Sequence, residues 1–213
     1  MHLDSGAPPM SVTKRVPVRG EATAFSDFAT IVIARALFGA FALISVLFTT
    51  RLLSPKEFGA LALFFVVSLL TVTVSSAWTS AAVSRLGREE LELTGEMSGI
   101  TAARAPFVVP TFLVAVPLVL GLQRAGILPT AFTTSLALLS VAYAAVWVIF
   151  DHVVYLLETW GRQKLSAVAV LVQQVAYVAA VGVLYLVRAR VGAADIAIVA
   201  MSTMGILGLP ASM

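Results

Sequence analysis

Residues 28–50 read FATIVIARALFGAFALISVLFTT, with one charged position, Arg35. An α-helix rises about 1.5 Å per residue, so roughly 20 apolar residues cross the roughly 30 Å hydrocarbon layer of a bilayer. This run is long enough to cross. It is also longer than the roughly 7 to 15 apolar residues of a cleaved signal peptide, and no small-x-small cleavage pattern follows it. It predicts a retained first span. Further apolar runs lie at 59–83, 105–122, 130–150 and 165–187, and a shorter one at 193–209 carries Asp195 near its start. The whole chain is 60% hydrophobic and only 12% charged, against about a quarter charged in soluble domains. The predicted fold is therefore all-α, a polytopic transmembrane bundle of about six spans.

Residues 1–27 lack apolar periodicity and carry Lys14, Arg15 and Arg19, which predicts a disordered tail ahead of the bundle. With that tail inside, the cytoplasmic segments hold Lys14, Arg15, Arg19, Arg85, Arg88, Arg104, Arg162 and Lys164. The external ones hold Arg51, Lys56, Arg124, Arg188 and Arg190. The excess favours a cytoplasmic N-terminus. In the third run Pro106 suits a first helical turn, whereas Pro110 and Pro117 delete internal hydrogen bonds and are expected to bend the helix.

Several function classes are excluded or disfavoured. The chain has no cysteine, so thiol nucleophiles, disulfides and iron–sulfur centres are out. Its only histidines are His2 and His152, and no nucleophile elbow, zinc-helix motif or phosphate loop occurs. No catalytic residue, metal or cofactor is expected. The net charge of +3 sits in short loops without interleaved aromatics, so anionic membrane lipid is the expected partner and nucleic acid is not.

Polar residues inside apolar runs are the candidates for a site, because each needs a partner or water. Arg35 either snorkels to the headgroups or faces a wet cavity and holds an anionic group such as phosphate. Ser68, Thr71 and Ser75 share a face of the second run, which either lines a polar path or packs closely on neighbouring helices. Gln173 and Gln174 lie near mid-depth with Tyr177 one turn beyond. At least one amide is expected to point into the bundle. Asp151, Tyr155 and Glu158 share a face beside His152, either as a proton relay or as a solvated helix end.

Residues 50–59, TRLLSPKEFG, resemble the loop between the first two spans of bacterial polysaccharide flippases, through Arg51, Leu52, Leu53, Ser54, Pro55, Glu57, Phe58 and Gly59. Residues 155–164, YLLETWGRQK, loosely resemble that family's short cytoplasmic link. The resemblance is to the multidrug/oligosaccharidyl-lipid/polysaccharide exporter superfamily, of the O-antigen export type. It implies translocation of an undecaprenyl-pyrophosphate-linked repeat unit across the bacterial inner membrane by two six-helix lobes. Arg35 would contact the pyrophosphate, with Ser68, Thr71, Ser75, Gln173 and Tyr177 lining the cavity. The chain matches one lobe only, which implies a truncated product, a half that pairs with itself or a second polypeptide, or an inactive relative. The rival expectation is a non-transporting scaffold in a polysaccharide assembly complex, with a dry bundle.

Overall fold

The computed structural model describes residues 21–187 and 190–208. Among them are α1 (Glu21–Leu52), α2 (Pro55–Val72), α3 (Trp78–Thr94), α4 (Ser98–Arg124), α5 (Thr134–Thr159), α6 (Gln163–Leu186) and α7 (Ala193–Gly208). No strand occurs among the described residues. The chain is an all-α helical bundle. Five stretches are long and apolar enough to cross a bilayer: Ser26–Leu52, Pro55–Ser76, Ser98–Arg124, Thr134–Thr159 and Gln163–Leu186.

Helix boundaries follow local chemistry. Ser54 caps α2 by accepting from Glu57 N, and Pro55 occupies the first helical position, where its missing N–H costs nothing. Thr133 caps α5 in the same way through Leu136 N. The Glu90 carboxylate accepts from Gly99 N (2.7 Å) and Ile100 N (2.8 Å), closing the N-terminus of α4 from a neighbouring helix. Helices α4 and α5 end on left-handed Gly126 and Gly161, after which Ile127 N and Arg162 N reach back to Leu122 O and Leu157 O.

The resembling loop has a structural task. The Glu57 carboxylate accepts from Ala193 N at 2.8 Å, so the segment opening α2 also closes the N-terminus of α7. Helix α5 sits centrally, packed on α2, α4, α6 and α7. Phe64, Phe132, Leu136, Val181 and Ile196 are its fully buried neighbourhood. Helix α1 packs chiefly on α6 and leaves Ile33, Leu37, Leu43 and Leu47 exposed, as a lipid-facing helix does.

Three expectations shift. The first helix begins at Glu21 rather than 28, so part of the expected tail is helical; residues 1–20 lie outside the described residues, as do 188, 189 and 209–213. The second run continues through a π-helical turn (Thr73–Ala77) into α3, because the charged face beyond Arg85 remains helix-forming outside the apolar layer. The third span starts at Ser98, not 105. Arg104, counted above as a loop base, is a buried residue of α4. Helix α4 stays continuous through all three prolines.

Candidate functional site

A cavity of about 710 Å³ opens between α1, α2, α5, α6 and α7. On α1 it is lined from Arg35 through Phe38, Ala42 and Ser45 to Thr49. These positions share one helical face, and their 14-residue separation corresponds to about 21 Å of depth. The opposing wall on α5 carries Tyr143, Trp147, Asp151, Tyr155 and Glu158, again one face. Helix α6 contributes Gln173, Gln174 and Tyr177.

Contacts fix which of these stand at the same depth. Lys164 Nζ meets Asp27 Oδ1 at 2.6 Å and the Tyr185 ring stacks on Phe48, so α1 and α6 run side by side in one register. Arg35 therefore stands level with Val172, next to Gln173. The Ser166 hydroxyl donates to Glu158 Oε1 at 2.9 Å across α5 and α6. Two turns along each helix from that contact come Asp151 and Gln173. Arg35, Asp151, Gln173 and Gln174 thus form one polar layer within the bilayer-crossing segments, with Tyr177 and Tyr143 successively further toward the other end.

The bonding state of this layer is informative. Arg35 makes no hydrogen bond or ion pair with any described residue, although Asp151 lines the same cavity. Asp151 stands one turn from Trp147 on the same face of α5. Gln173, Gln174, Tyr143 and Tyr177 are 6–8% exposed, yet none of their side chains makes a hydrogen bond to a described residue. Buried polar groups are almost always paired, and leaving one unmade costs roughly 1–3 kcal/mol. Their polar atoms open onto the cavity, where water or a bound molecule can reach them.

The sequence-derived residues divide cleanly. Arg35, Gln173 and Tyr177 line the cavity. Ser68, Thr71 and Ser75 do not, and this corrects the expected lining. The Ser68 hydroxyl shares its proton between Phe64 O (2.7 Å) and Ser140 O (2.9 Å), stitching α2 to α5. Ser75 donates to Val72 O at 3.1 Å. Thr71 donates to Val67 O at 2.8 Å and borders an apolar groove between α2 and α4. Their shared face is a packing face. Asp151, Tyr155 and Glu158 belong to the cavity rather than to a solvated end, and Tyr143 and Trp147 join them without having been singled out in the sequence.

A second polar cluster lies behind α5. Arg104, 5% exposed, donates through Nη2 to Ser76 O (3.2 Å) in the π-helical turn and through Nη1 to His152 Nδ1 (3.0 Å). His152 Nε2 stands 3.2 Å from Thr101 Oγ1, whose own proton goes to Met97 O (2.9 Å). That chain of donors leaves one consistent assignment, a neutral ring with its proton on Nε2. Arg104 Nε has no partner among the described residues. Among the described residues no group of three acidic or histidine side chains converges as a metal site.

Comparison with protein-family models, with curated proteins and with solved structures returns no match. The fold and apolar helices themselves define the class: a membrane-embedded, all-α helical bundle, with a largely apolar cavity that carries a layer of polar side chains.

Proposed function

We propose that the chain is one lobe of a translocator for a lipid-linked oligosaccharide, the undecaprenyl-pyrophosphate-linked repeat unit of a bacterial polysaccharide. In this reading it lies in the inner membrane with a cytoplasmic N-terminus and works as a carrier rather than an enzyme. The observation that carries the reading is Arg35 standing level with Asp151, Gln173 and Gln174 inside the bilayer-crossing region, with neither Arg35 nor the two amides bonded to any described residue. An isolated intramembrane cation costs roughly 2.5–3.5 kcal/mol or more, and a phosphate-bearing ligand offsets that cost. The amides and Asp151 supply acceptors and donors for sugar hydroxyls beside it. The TRLLSPKEFG loop supports the same family. With Arg104 withdrawn from the loops, seven cytoplasmic bases still stand against five external ones in this orientation.

A cavity of about 710 Å³ falls within the roughly 300–1,000 Å³ of small-molecule pockets, enough for a sugar phosphate and too little for an oligosaccharide with its carrier. A second lobe, either another polypeptide or a second copy, would complete the path, because alternating access needs two bundles rocking about a shared site.

The scaffold reading retains one favourable observation, the dry packing of Ser68 against α5. Single cysteines separate the two, since the native chain has none. The translocator reading expects Ser45→Cys and Gln174→Cys to react with a membrane-impermeant maleimide while Ser68→Cys stays protected. Protection at all three positions would favour the scaffold and remove the transport reading.

A further inference from the structure

Beyond the charged layer, the cavity changes character. On the side of Arg35 and Asp151 away from Glu158 its polar groups are Tyr143, Tyr177, Ser45 and Thr49. Ser45 and Thr49 spend their protons on backbone carbonyls of their own helix, Ala42 O at 2.7 Å and Ser45 O at 2.9 Å. Of these four hydroxyls, only the two phenols make no hydrogen bond to a described residue, and both side chains are more than nine-tenths buried. Tyr143 belongs to an aromatic wall. Tyr143 packs edge-on against Trp147 (5.7 Å) and against Phe65 (5.9 Å). No charged residue lines this end of the cavity.

We infer that this part of the cavity is a subsite for an uncharged sugar ring, held by the Tyr143 and Tyr177 hydroxyls against the Trp147 and Phe65 faces, and that it discriminates against sugars carrying a carboxylate. The inference rests on the proposed function and deepens it. Two physical terms produce the selectivity. Apolar ring faces of a pyranose bury well on aromatic side chains, while its hydroxyls satisfy the otherwise unmade phenol hydrogen bonds. A carboxylate at the same place would be desolvated within the apolar layer, with Arg35 about two turns away from Tyr143 and engaged by the phosphate.

The experiment measures equilibrium binding with defined probes. The chain has three tryptophans; Trp78→Phe and Trp160→Phe leave Trp147 as the single fluorophore inside the cavity. The protein in lipid nanodiscs is titrated with octyl glucoside and, separately, octyl glucuronide, both below micelle-forming concentrations. The expected result is a saturable Trp147 signal with the glucuronide binding at least tenfold more weakly. Tyr143→Phe and Tyr177→Phe, which keep the ring volume, should each weaken glucoside binding severalfold and shrink that ratio. Equal binding of the two glycosides, no saturable signal, or indifference to both phenol deletions would overturn the subsite. Lipid translocation is read separately in liposomes. Retained sugar selectivity without translocation would refute only the transport reading, and translocation without sugar selectivity would refute only this one.

Discussion

Removing the Arg104 guanidinium tests whether a buried charge braces the π-helical turn. Arg104 bridges three helical segments, with one donor to Ser76 O and one to His152 Nδ1. Hydrogen bonds from charged donors contribute about 1.5–3 kcal/mol each in soluble proteins, but intramembrane pairs measured by double-mutant cycles average about 0.6 and reach about 1.7 kcal/mol. Two terms oppose them: the desolvation of the guanidinium, and the unmet Nε. Thr79 Oγ1 also serves Ser76 O at 2.8 Å, so that carbonyl is not orphaned by the substitution. The single variant Arg104→Met therefore mixes gains and losses, and its net effect decides little. The interaction term is cleaner. In a cycle of Arg104→Met, His152→Leu and the double variant, the expected coupling is about 1–1.7 kcal/mol, near the intramembrane ceiling because the donor is charged. The assay is reversible unfolding in mixed micelles with increasing sodium dodecyl sulfate, followed by far-ultraviolet circular dichroism. Arg104→Lys serves as a geometric control, since an ammonium on a single stem does not reproduce the planar fork; it should lose most of the coupling while keeping the charge. A coupling below about 0.3 kcal/mol, within the scatter of independent sites, would mean that the two side chains are neighbours without an energetic bond.

Glu57→Ala should destabilise the bundle by about 1–2 kcal/mol in the same assay, as loss of a charged cap does; Glu57→Gln should recover part of it, and no loss would deny the link between α2 and α7. Ser68→Ala should cost less than about 1 kcal/mol, because both carbonyls that it bonds also serve their own helices; a larger loss would show that the hydroxyl is more than packing. Gly95 has φ of +79° with open space around its Cα, so Gly95→Ala should cost about 1 kcal/mol through backbone strain alone. Lys164→Gln removes a partly exposed pair with Asp27 and should change stability by no more than about 1 kcal/mol.

The spans were legible because each helix has to be apolar by itself: length and hydropathy are properties of one segment, and the five long runs needed no partner to be recognised. Boundaries failed where a charge depended on distant partners. Arg104 marked the edge of an apolar run, and a lone arginine there reads as a loop base. What allows it inside is Ser76 O and His152 Nδ1, 28 and 48 residues away. Nothing local announces either. The π-helical turn was equally silent, although the Val72–Thr79 region is dense in hydroxyls that bond backward along their own helix.

The site divided along the same line. Period 3.6 correctly grouped Ser68, Thr71 and Ser75 on one face, but periodicity names a face without naming what it meets. Short hydroxyls can close on their own carbonyls, and these three did, so they need neither water nor ligand. Gln173, Gln174 and Tyr177 cannot do so as readily: their polar atoms sit too far from the helix backbone. Side-chain reach is thus the signal that separates the two groups. In α6 the long polar residues mark the cavity and in α2 the short ones mark the contact, while on α1 the short Ser45 and Thr49 line the cavity although they too close on their own carbonyls. By the reach of its phenol Tyr143, one turn from Trp147 on the same face, was readable from sequence as a cavity residue, and it is one of the two phenols on which the neutral subsite rests.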